Sequence, residues 1–249
     1  MLSRLSPVSI ADFGACVWRA DALACAAGAT VATGHVALDA ELPGGGWPVG
    51  AISEILQAQS GLHEWRLLLP ALSRLTRPGT ACVALVGAPQ VPFGPGLCAQ
   101  GLVPQRLLWV SANTPVARLW ATEQALRCAD VVAVLAWLSQ VRSEQLRRLQ
   151  IAAQTHNKLL FVLRPVQAKN ECSPAVLRLL VSSQTPVGEA AADALTDALQ
   201  VHILKRRGPP LARALTLPAR PARLAVLLAL SGAGNEGVGD ALDRFAAAA

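Results

Sequence analysis

Short apolar runs alternate along this chain with segments whose apolar residues recur every three or four positions. The runs at 81–86 and 131–137 contain no charged residue, whereas the segments at 115–128 and 143–154 have the spacing of helices with one apolar face. A strand that is apolar on both faces is buried above and below, as it is in a parallel sheet that helices cover on both sides. We therefore predict an α/β fold with a mainly parallel sheet flanked by helices.

The same pattern places further elements along the chain. Turns and short strands are expected from residue 31, then strands at 51–56, 106–110 and 158–163, and helices at 62–75 and 93–100. In the helix at 62–75, Pro70 is expected to cause a kink or to bound the first turns. Beyond residue 173 the helical spacing disappears, and strands at 176–182, 199–205 and 212–217 predict an antiparallel C-terminal extension. We expect a helical leader at 1–30, a core at 31–217 and a tail at 218–249.

Charge and the distribution of Cys and His residues narrow the classes of function. The net charge of +6 suits an acidic or polyanionic partner. The six Cys residues are dispersed without a C-x-x-C pair, which is typical of reduced thiols in the cytoplasm, and the four His residues are too far apart to predict a metal site. The longest strongly apolar stretch, at 224–230, is too short to cross a membrane.

One segment carries a family resemblance. Residues 33–55 read T-G-H-V-A-L-D-A-E-L-P-G-G-G-W-P-V-G-A-I-S-E-I. They resemble the start of the ATPase core of RecA-type recombinases, where a T-G-x-x-x-L-D stretch, a Gly-rich turn and a G-x-x-x-E-I strand lead into the phosphate loop. The likeness continues through 82–89, 122–134, 146–161 and 201–210. It implies a RecA-like core.

A narrower resemblance is to the ImuA family, carried by the residues at 38–50, 67–72, 135–138 and 204–208. That family consists of RecA-like accessory proteins that act with the polymerase-like protein ImuB and an error-prone replicative-type polymerase in translesion DNA synthesis. The resemblance implies RecA, ImuB and this polymerase complex as partners.

The scaffold lacks the residues that nucleotide hydrolysis requires. Where the resemblance places the phosphate loop, residues 57–65 read Q-A-Q-S-G-L-H-E-W, without the Lys and the Ser or Thr that bind phosphate and magnesium. No carboxylate ends the run at 131–137, and Gly-Ala-Pro follows the run at 81–86 where recombinases place a carboxylate. We predict a protein without catalytic activity or cofactor, with a degenerate phosphate loop that includes Gln57, Gly61, His63 and Glu64.

Two basic clusters remain as candidate contacts. Lys205, Arg206 and Arg207 resemble the recombinase strand end that reaches across a filament interface, which implies docking against a RecA protomer; they also suit phosphates, or a solvated strand end. Arg147 and Arg148, beside Arg142, form a second cluster on a predicted helix, with Leu146, Leu149 and Ile151 as its apolar partners; most such arginines are a solvated helix face.

The tryptophans and the loops complete the expectations for the site. Trp47, Trp65 and Trp137 either fill the space of the lost nucleotide or belong to the ordinary core. The two DNA-binding loops that the RecA resemblance implies are short in this chain, at 139–142 and 165–173, so we expect only weak or indirect contact with DNA.

Together these features predict a non-catalytic accessory protein of the SOS and translesion synthesis machinery that binds RecA, ImuB or both. Two alternatives stay open. One is a cell-division inhibitor of the SulA type, a small damage-induced protein with a related, nucleotide-free RecA-like fold. The other is a weak DNA-stimulated ATPase.

Overall fold

The computed structural model describes residues 28–77, 79–184 and 198–218. The predicted leader, except for its last three residues, and all but the first residue of the predicted tail lie outside this part of the chain, so the division into three regions stays a prediction. In the described part, helices flank an eight-stranded sheet, and a short two-stranded ribbon precedes it.

Strands and helices alternate along most of the described chain. The strands are β1 Thr30–Val31, β2 Trp47–Pro48, β3 Ala51–Gln57, β4 Cys82–Val86, β5 Leu107–Val110, β6 Val131–Trp137, β7 Leu159–Pro165, β8 Leu177–Gln184, β9 Ala198–Lys205 and β10 Leu215–Pro218. The helices are α1 Val36–Glu41, α2 Glu64–Thr76, α3 Gly94–Ala99, α4 Pro115–Arg127 and α5 Ser143–Thr155, with 3₁₀ turns at Pro104–Arg106 and Val166–Asn170.

The strands of the large sheet lie in the order β10-β9-β8-β3-β7-β6-β4-β5. The pairs from β8 to β5 are parallel, whereas β8–β9 and β9–β10 are antiparallel. The predicted α/β class, the mainly parallel sheet and the antiparallel C-terminal extension are confirmed. We call the side of the sheet where β3, β4, β6 and β7 end the carboxyl edge, and the side where they begin the amino edge.

Each face of the sheet packs against its own apolar core. One core joins the sheet to α1, α2 and α3 and includes Leu68, Ile55 and Trp47, whose ring meets that of Phe161 edge-on at a centroid distance of 5.2 Å. The other core joins the sheet to α4 and α5 and includes Leu126 and other fully buried residues. Two buried faces explain why the central strands read as continuous apolar runs.

Helix α1 was not predicted, because turns and strands were expected in this region. It has six residues, of which only Leu38 is buried, so it leaves no helical period in the sequence. A side chain fixes its position instead, since Asp39 Oδ1 accepts a hydrogen bond of 2.8 Å from the backbone N–H of Thr33. The T-G-x-x-x-L-D stretch therefore forms a compact turn and helix.

Helix α2 runs through Pro70, which does not bound its first turns. Proline lacks an N–H, so the carbonyl of Arg66, four residues earlier, receives no helical hydrogen bond at this point. The buried His35 ring packs against this turn, with Nε2 3.2 Å from the carbonyl oxygen of Leu67 and the Arg66 carbonyl also within reach. Gly34 has a φ of +90°, and a Cβ at this position would overlap Pro70. The chain before α1 thus packs directly on the proline of α2.

Candidate functional site

The loop between β3 and α2 lies where the resemblance places a phosphate loop, and a carboxylate of the protein occupies it. Glu64, the first residue of α2, is fully buried. Its Oε1 accepts hydrogen bonds from the backbone N–H of Gly61 at 2.6 Å and from Trp137 Nε1 at 2.9 Å, and its Oε2 accepts one from the N–H of His63 at 3.1 Å. Backbone N–H groups at a helix N-terminus are the donors that bind phosphate in nucleotide sites. In this loop Glu64 takes two of them.

Gln57 lies at the other end of this loop. Its side chain is fully buried at the end of β3, and neither its amide oxygen nor its amide nitrogen has a partner in the described part of the chain. The residues between Ala58 and Leu62 are exposed. The structure therefore places the four predicted residues in one loop, where the carboxylate of Glu64 binds the backbone of two of the others.

At the carboxyl ends of β6 and β4, where recombinases have carboxylates, this protein has the side chains of Trp137 and Arg118. Trp137 ends β6, where its indole donates to Glu64 and its ring packs in the same core as Trp47. The Arg118 side chain covers Gly87, where a Cβ would lie 2.7 Å from its Nε, and Arg118 Nε donates to the carbonyl of Ala112 at 2.8 Å. Trp47 does not fill the predicted nucleotide space, because its ring packs in the core. Trp65 is half-buried against the same core.

A buried ion network lies beside this site, and sequence reasoning missed it. Glu54 in the middle of β3 accepts hydrogen bonds from Arg164 Nη1 at 2.9 Å and from Arg178 Nε at 2.6 Å. Arg164 Nη2 also pairs with Glu171 at 2.6 Å. Burial alone lowers the pKa of the Arg164 guanidinium, but the hydrogen bonds that it donates to Glu171 and Glu54 raise the pKa above its ordinary value. The network ties β3, β7 and β8 together.

The basic run after β9 divides into two bound cations and one exposed cation. Lys205 Nζ donates to the carbonyl of Ser173 at 3.1 Å. Arg206 is mostly buried and binds Glu41, with 3.1 Å between Nη1 and Oε2. Hydrogen bonds from Arg213 and Arg206 hold the pKa of the Glu41 carboxyl below its usual range. Arg207 is exposed, and its side chain makes no hydrogen bond to the described residues.

The second basic cluster lies on α5. Arg148 is 70% exposed and forms an ion pair with the buried Glu123 of α4. Arg147 is exposed. Leu146 and Leu149 are buried as expected, but Ile151 is 59% exposed and is not an apolar partner of the cluster. The predicted contact role of Arg147 and Arg148 stays a prediction, and one of the two already joins α5 to α4.

Metal ligands and membrane spans were not expected from the sequence. Within 28–77, 79–184 and 198–218, no group of three His, Cys, Asp or Glu side chains is placed to hold a metal ion. None of the helices in this described part is long and apolar enough to cross a membrane.

A cleft of about 250 Å³ lies at the amino edge, on the opposite side of the sheet from Glu64. It is lined by the starts of β3 and β8, by the C-terminal half of α5 and by Arg207. The structure therefore places the exposed cation of the basic run beside α5. From α5 the lining residues are Gln150 and Gln154, and neither Arg147 nor Arg148 is among them.

No protein-family model matches the chain. Over 118 residues the chain is 29% identical to the cell division inhibitor SulA of Yersinia pestis (strain Pestoides F), and the match covers 47% of this chain and 69% of the relative. SulA of Yersinia pseudotuberculosis matches with the same identity and coverage. The crystal structure of SulA from Pseudomonas aeruginosa aligns with 28% identity and a TM-score of 0.38, over 46% of this chain and 97% of that one. The chain is thus similar in sequence to SulA over about half of its length.

Proposed function

We propose that this protein is a non-catalytic component of the bacterial DNA-damage response that acts by binding another protein through a RecA-like scaffold. The observation that carries the proposal is the Glu64 carboxylate, which takes the N–H groups of Gly61 and His63 at the N-terminus of α2. A triphosphate would need those donors and a nearby cation, and it would meet a negative charge instead. The absence of a Lys and a Ser or Thr in the phosphate-binding positions of residues 57–65 supports the same conclusion.

The leading partner is the tubulin-like division protein. The similarity to the cell division inhibitor SulA over 118 residues favours this assignment over the accessory role in translesion synthesis. SulA-type inhibitors are damage-induced and have a nucleotide-free RecA-like fold. This agrees with a loop whose backbone N–H groups bind Glu64 of the protein itself. Inhibition of cell division would then require a protein surface and no catalytic residue.

An ImuA-type accessory role is the second candidate, because more than half of the chain lies outside the match to SulA. The recombinase-like stretch from Thr33 to Asp39 folds as a unit held by its own side chains, with the Asp39 carboxylate bound to the N–H of Thr33. The antiparallel strands β9 and β10 extend the sheet where the resemblance to recombinases continues. RecA, ImuB and the error-prone polymerase complex are the partners in this case.

Two assays on the full-length protein separate these roles. Light scattering reports GTP-dependent polymerisation of the division protein, and co-sedimentation reports binding to RecA, free or on single-stranded DNA, and to ImuB. Inhibited polymerisation without binding to RecA or ImuB supports the SulA-type role, and the reverse supports the accessory role. Arg207→Ala then tests the exposed cation in whichever assay is positive, whereas Arg206 is left intact because it binds Glu41.

An ATPase assay with and without single-stranded DNA tests the non-catalytic part of the proposal. We expect no ATP turnover above that of a blank. Turnover that disappears on changing His63 or Glu64 would overturn the proposal and revive the DNA-stimulated ATPase.

A further inference from the structure

The cleft at the amino edge has a set of polar side chains that the fold itself does not use. Gln154 and Asn157 line it from the end of α5, and Arg207 lines it from the segment after β9. None of these three side chains makes a hydrogen bond to the described residues. Gln150, one turn earlier on α5, is different: its Oε1 accepts from the N–H of Ile52 at 2.8 Å, and its Nε2 donates to the carbonyl of Gly50 at 3.2 Å.

Apart from Thr30, Gln150 and Arg206, the remaining lining of the cleft consists of apolar residues and glycines. Pro43, Val49, Val176 and Leu177 line it together with the backbone at the start of β3. A site where one guanidinium and two carboxamides make no hydrogen bond to the described residues, beside an apolar surface, suits a ligand that has a negative charge, amide groups and an apolar side chain.

The charge around the cleft also favours an anion. Lys205 ends β9, Arg206 and Arg207 follow it, and Arg213 joins Arg206 at the carboxylate of Glu41. Because Arg206 and Arg213 are both paired with Glu41, the guanidinium of Arg207 is the one placed to bind a second carboxylate. Arg and carboxylate form short, charge-assisted pairs, frequently with two parallel hydrogen bonds.

We propose that the amino-edge cleft binds a peptide segment of a partner protein that presents an Asp or Glu side chain beside an apolar side chain. Arg207 binds the carboxylate, Gln154 and Asn157 bind the peptide groups, and the apolar wall takes the neighbouring side chain. This inference rests on the proposed function, because it gives the chemistry of the partner. A nucleic-acid backbone fits less well, since it is held by several phosphate contacts and this cleft offers one unpaired guanidinium and an apolar wall.

The test uses the full-length ¹⁵N-labelled protein and two synthetic pentapeptides, acetyl-Gly-Leu-Glu-Leu-Gly-amide and its counterpart with Gln in place of Glu. NMR titration follows the side-chain amides of Gln154 and Asn157 and the backbone amide of Gly50. We expect saturable shifts of these signals with the Glu peptide and affinity at least roughly tenfold weaker for the Gln peptide, as loss of a charge-assisted hydrogen bond implies.

Matched variants test the role of the guanidinium. Arg207→Gln is expected to weaken binding of the Glu peptide roughly tenfold or more. Arg142→Gln makes the same change of charge at an exposed residue at the carboxyl edge, and it is expected to leave binding unchanged. Circular dichroism confirms that both variants fold.

Three outcomes of these titrations overturn the inference. The first is the absence of shifts at the cleft, and the second is equal binding of the Glu and Gln peptides. The third is tighter binding of a twelve-residue oligothymidine than of the Glu peptide at the same residues, which would assign the cleft to nucleic acid. If the protein binds its partner in the earlier assays while Arg207→Gln changes nothing, this inference fails and the proposed function stands. If the Glu peptide binds but neither the division protein, RecA nor ImuB does, the proposed function fails instead.

Discussion

Replacing Glu64 with Gln keeps the size of the side chain but removes an acceptor that the structure uses. The carboxylate accepts three hydrogen bonds, from Gly61, His63 and Trp137. An amide has one oxygen, so at least one donor faces an NH₂ group. An unsatisfied buried donor costs about 1–3 kcal/mol, and the lost charge at the N-terminus of α2 costs about 0.3–1 kcal/mol. We therefore expect Glu64→Gln to lower the free energy of unfolding by roughly 1–4 kcal/mol.

Urea titration followed by far-ultraviolet circular dichroism measures this change at neutral pH. Glu144→Gln is the matched control, because Glu144 lies in the first turn of α5 but is exposed. It reports the effect of the helix N-terminus alone, about 0.3–1 kcal/mol. A double-mutant cycle with Trp137→Phe isolates the hydrogen bond to the indole, for which we expect a coupling of about 1 kcal/mol or more. If Glu64→Gln costs no more than Glu144→Gln, the carboxylate does not anchor the loop and the reasoning is refuted.

Three further predictions concern other buried groups. Glu54→Gln should lower the free energy of unfolding by about 3 kcal/mol, because it removes the carboxylate that pairs with the buried guanidinium of Arg164; a loss below about 1 kcal/mol in urea titration would contradict this pairing. Burial holds the pKa of His35 below its ordinary value, although hydrogen bonds to carbonyls of α2 act in the opposite direction. The native state then binds fewer protons than the unfolded state below about pH 6.5, so stability is full above that pH and falls as the pH decreases, by at most about 1.4 kcal/mol per unit. His35→Gln should reduce this slope in urea titrations at several pH values, and an unchanged slope would assign it to other groups. Gly34→Ala should lower the melting temperature more than Gly45→Ala, because both glycines have a positive φ but only a Cβ at Gly34 would overlap Pro70. Equal decreases in melting temperature would show that α2 shifts without loss of stability.

The strands and most of the helices could be predicted because the spacing of their apolar residues shows which faces are buried. Strands such as β6 have two buried faces and therefore no polar residue, and α5 buries Leu146 and Leu149 on one side. Helix α1 could not be predicted in this way. It is short, it buries one residue, and its position depends on the carboxylate of Asp39.

The sequence predicts that the candidate site lacks phosphate-binding residues, but it does not predict which side chains bind the loop instead. The absence of a phosphate-binding Lys and of a Ser or Thr after it in 57–65 is visible in the sequence, whereas the bond between Glu64 and Trp137 joins residues 73 positions apart. The buried ion network did leave a signal, because Glu54 and Arg164 interrupt strands that are otherwise largely apolar. A charge in such a strand requires a partner of opposite charge.

The same limit applies to the basic run, where three consecutive cations have three different environments. Strand β9 ends at Lys205, and Arg206 and Arg207 follow it outside the strand, so no regular period fixes where their side chains point. Arg206 points inward to Glu41, and Arg207 is left exposed beside the amino-edge cleft. Only the tertiary fold decides which of them is available to a partner.

Ligands of parallel α/β sheets bind at the carboxyl ends of the strands, where loops and helix N-termini present polar groups. In this protein two buried charged groups near that edge already have partners: Glu64 binds backbone N–H groups and an indole, and Arg164 binds Glu54 and Glu171. These contacts stabilise the fold while they consume the donors that a nucleotide needs. Of the described residues, Gln154, Asn157 and Arg207 make no side-chain hydrogen bond within this part of the chain, and all three line the cleft at the amino edge. We propose that recognition of a partner takes place at the amino edge, on the opposite side of the sheet from the loop that Glu64 occupies.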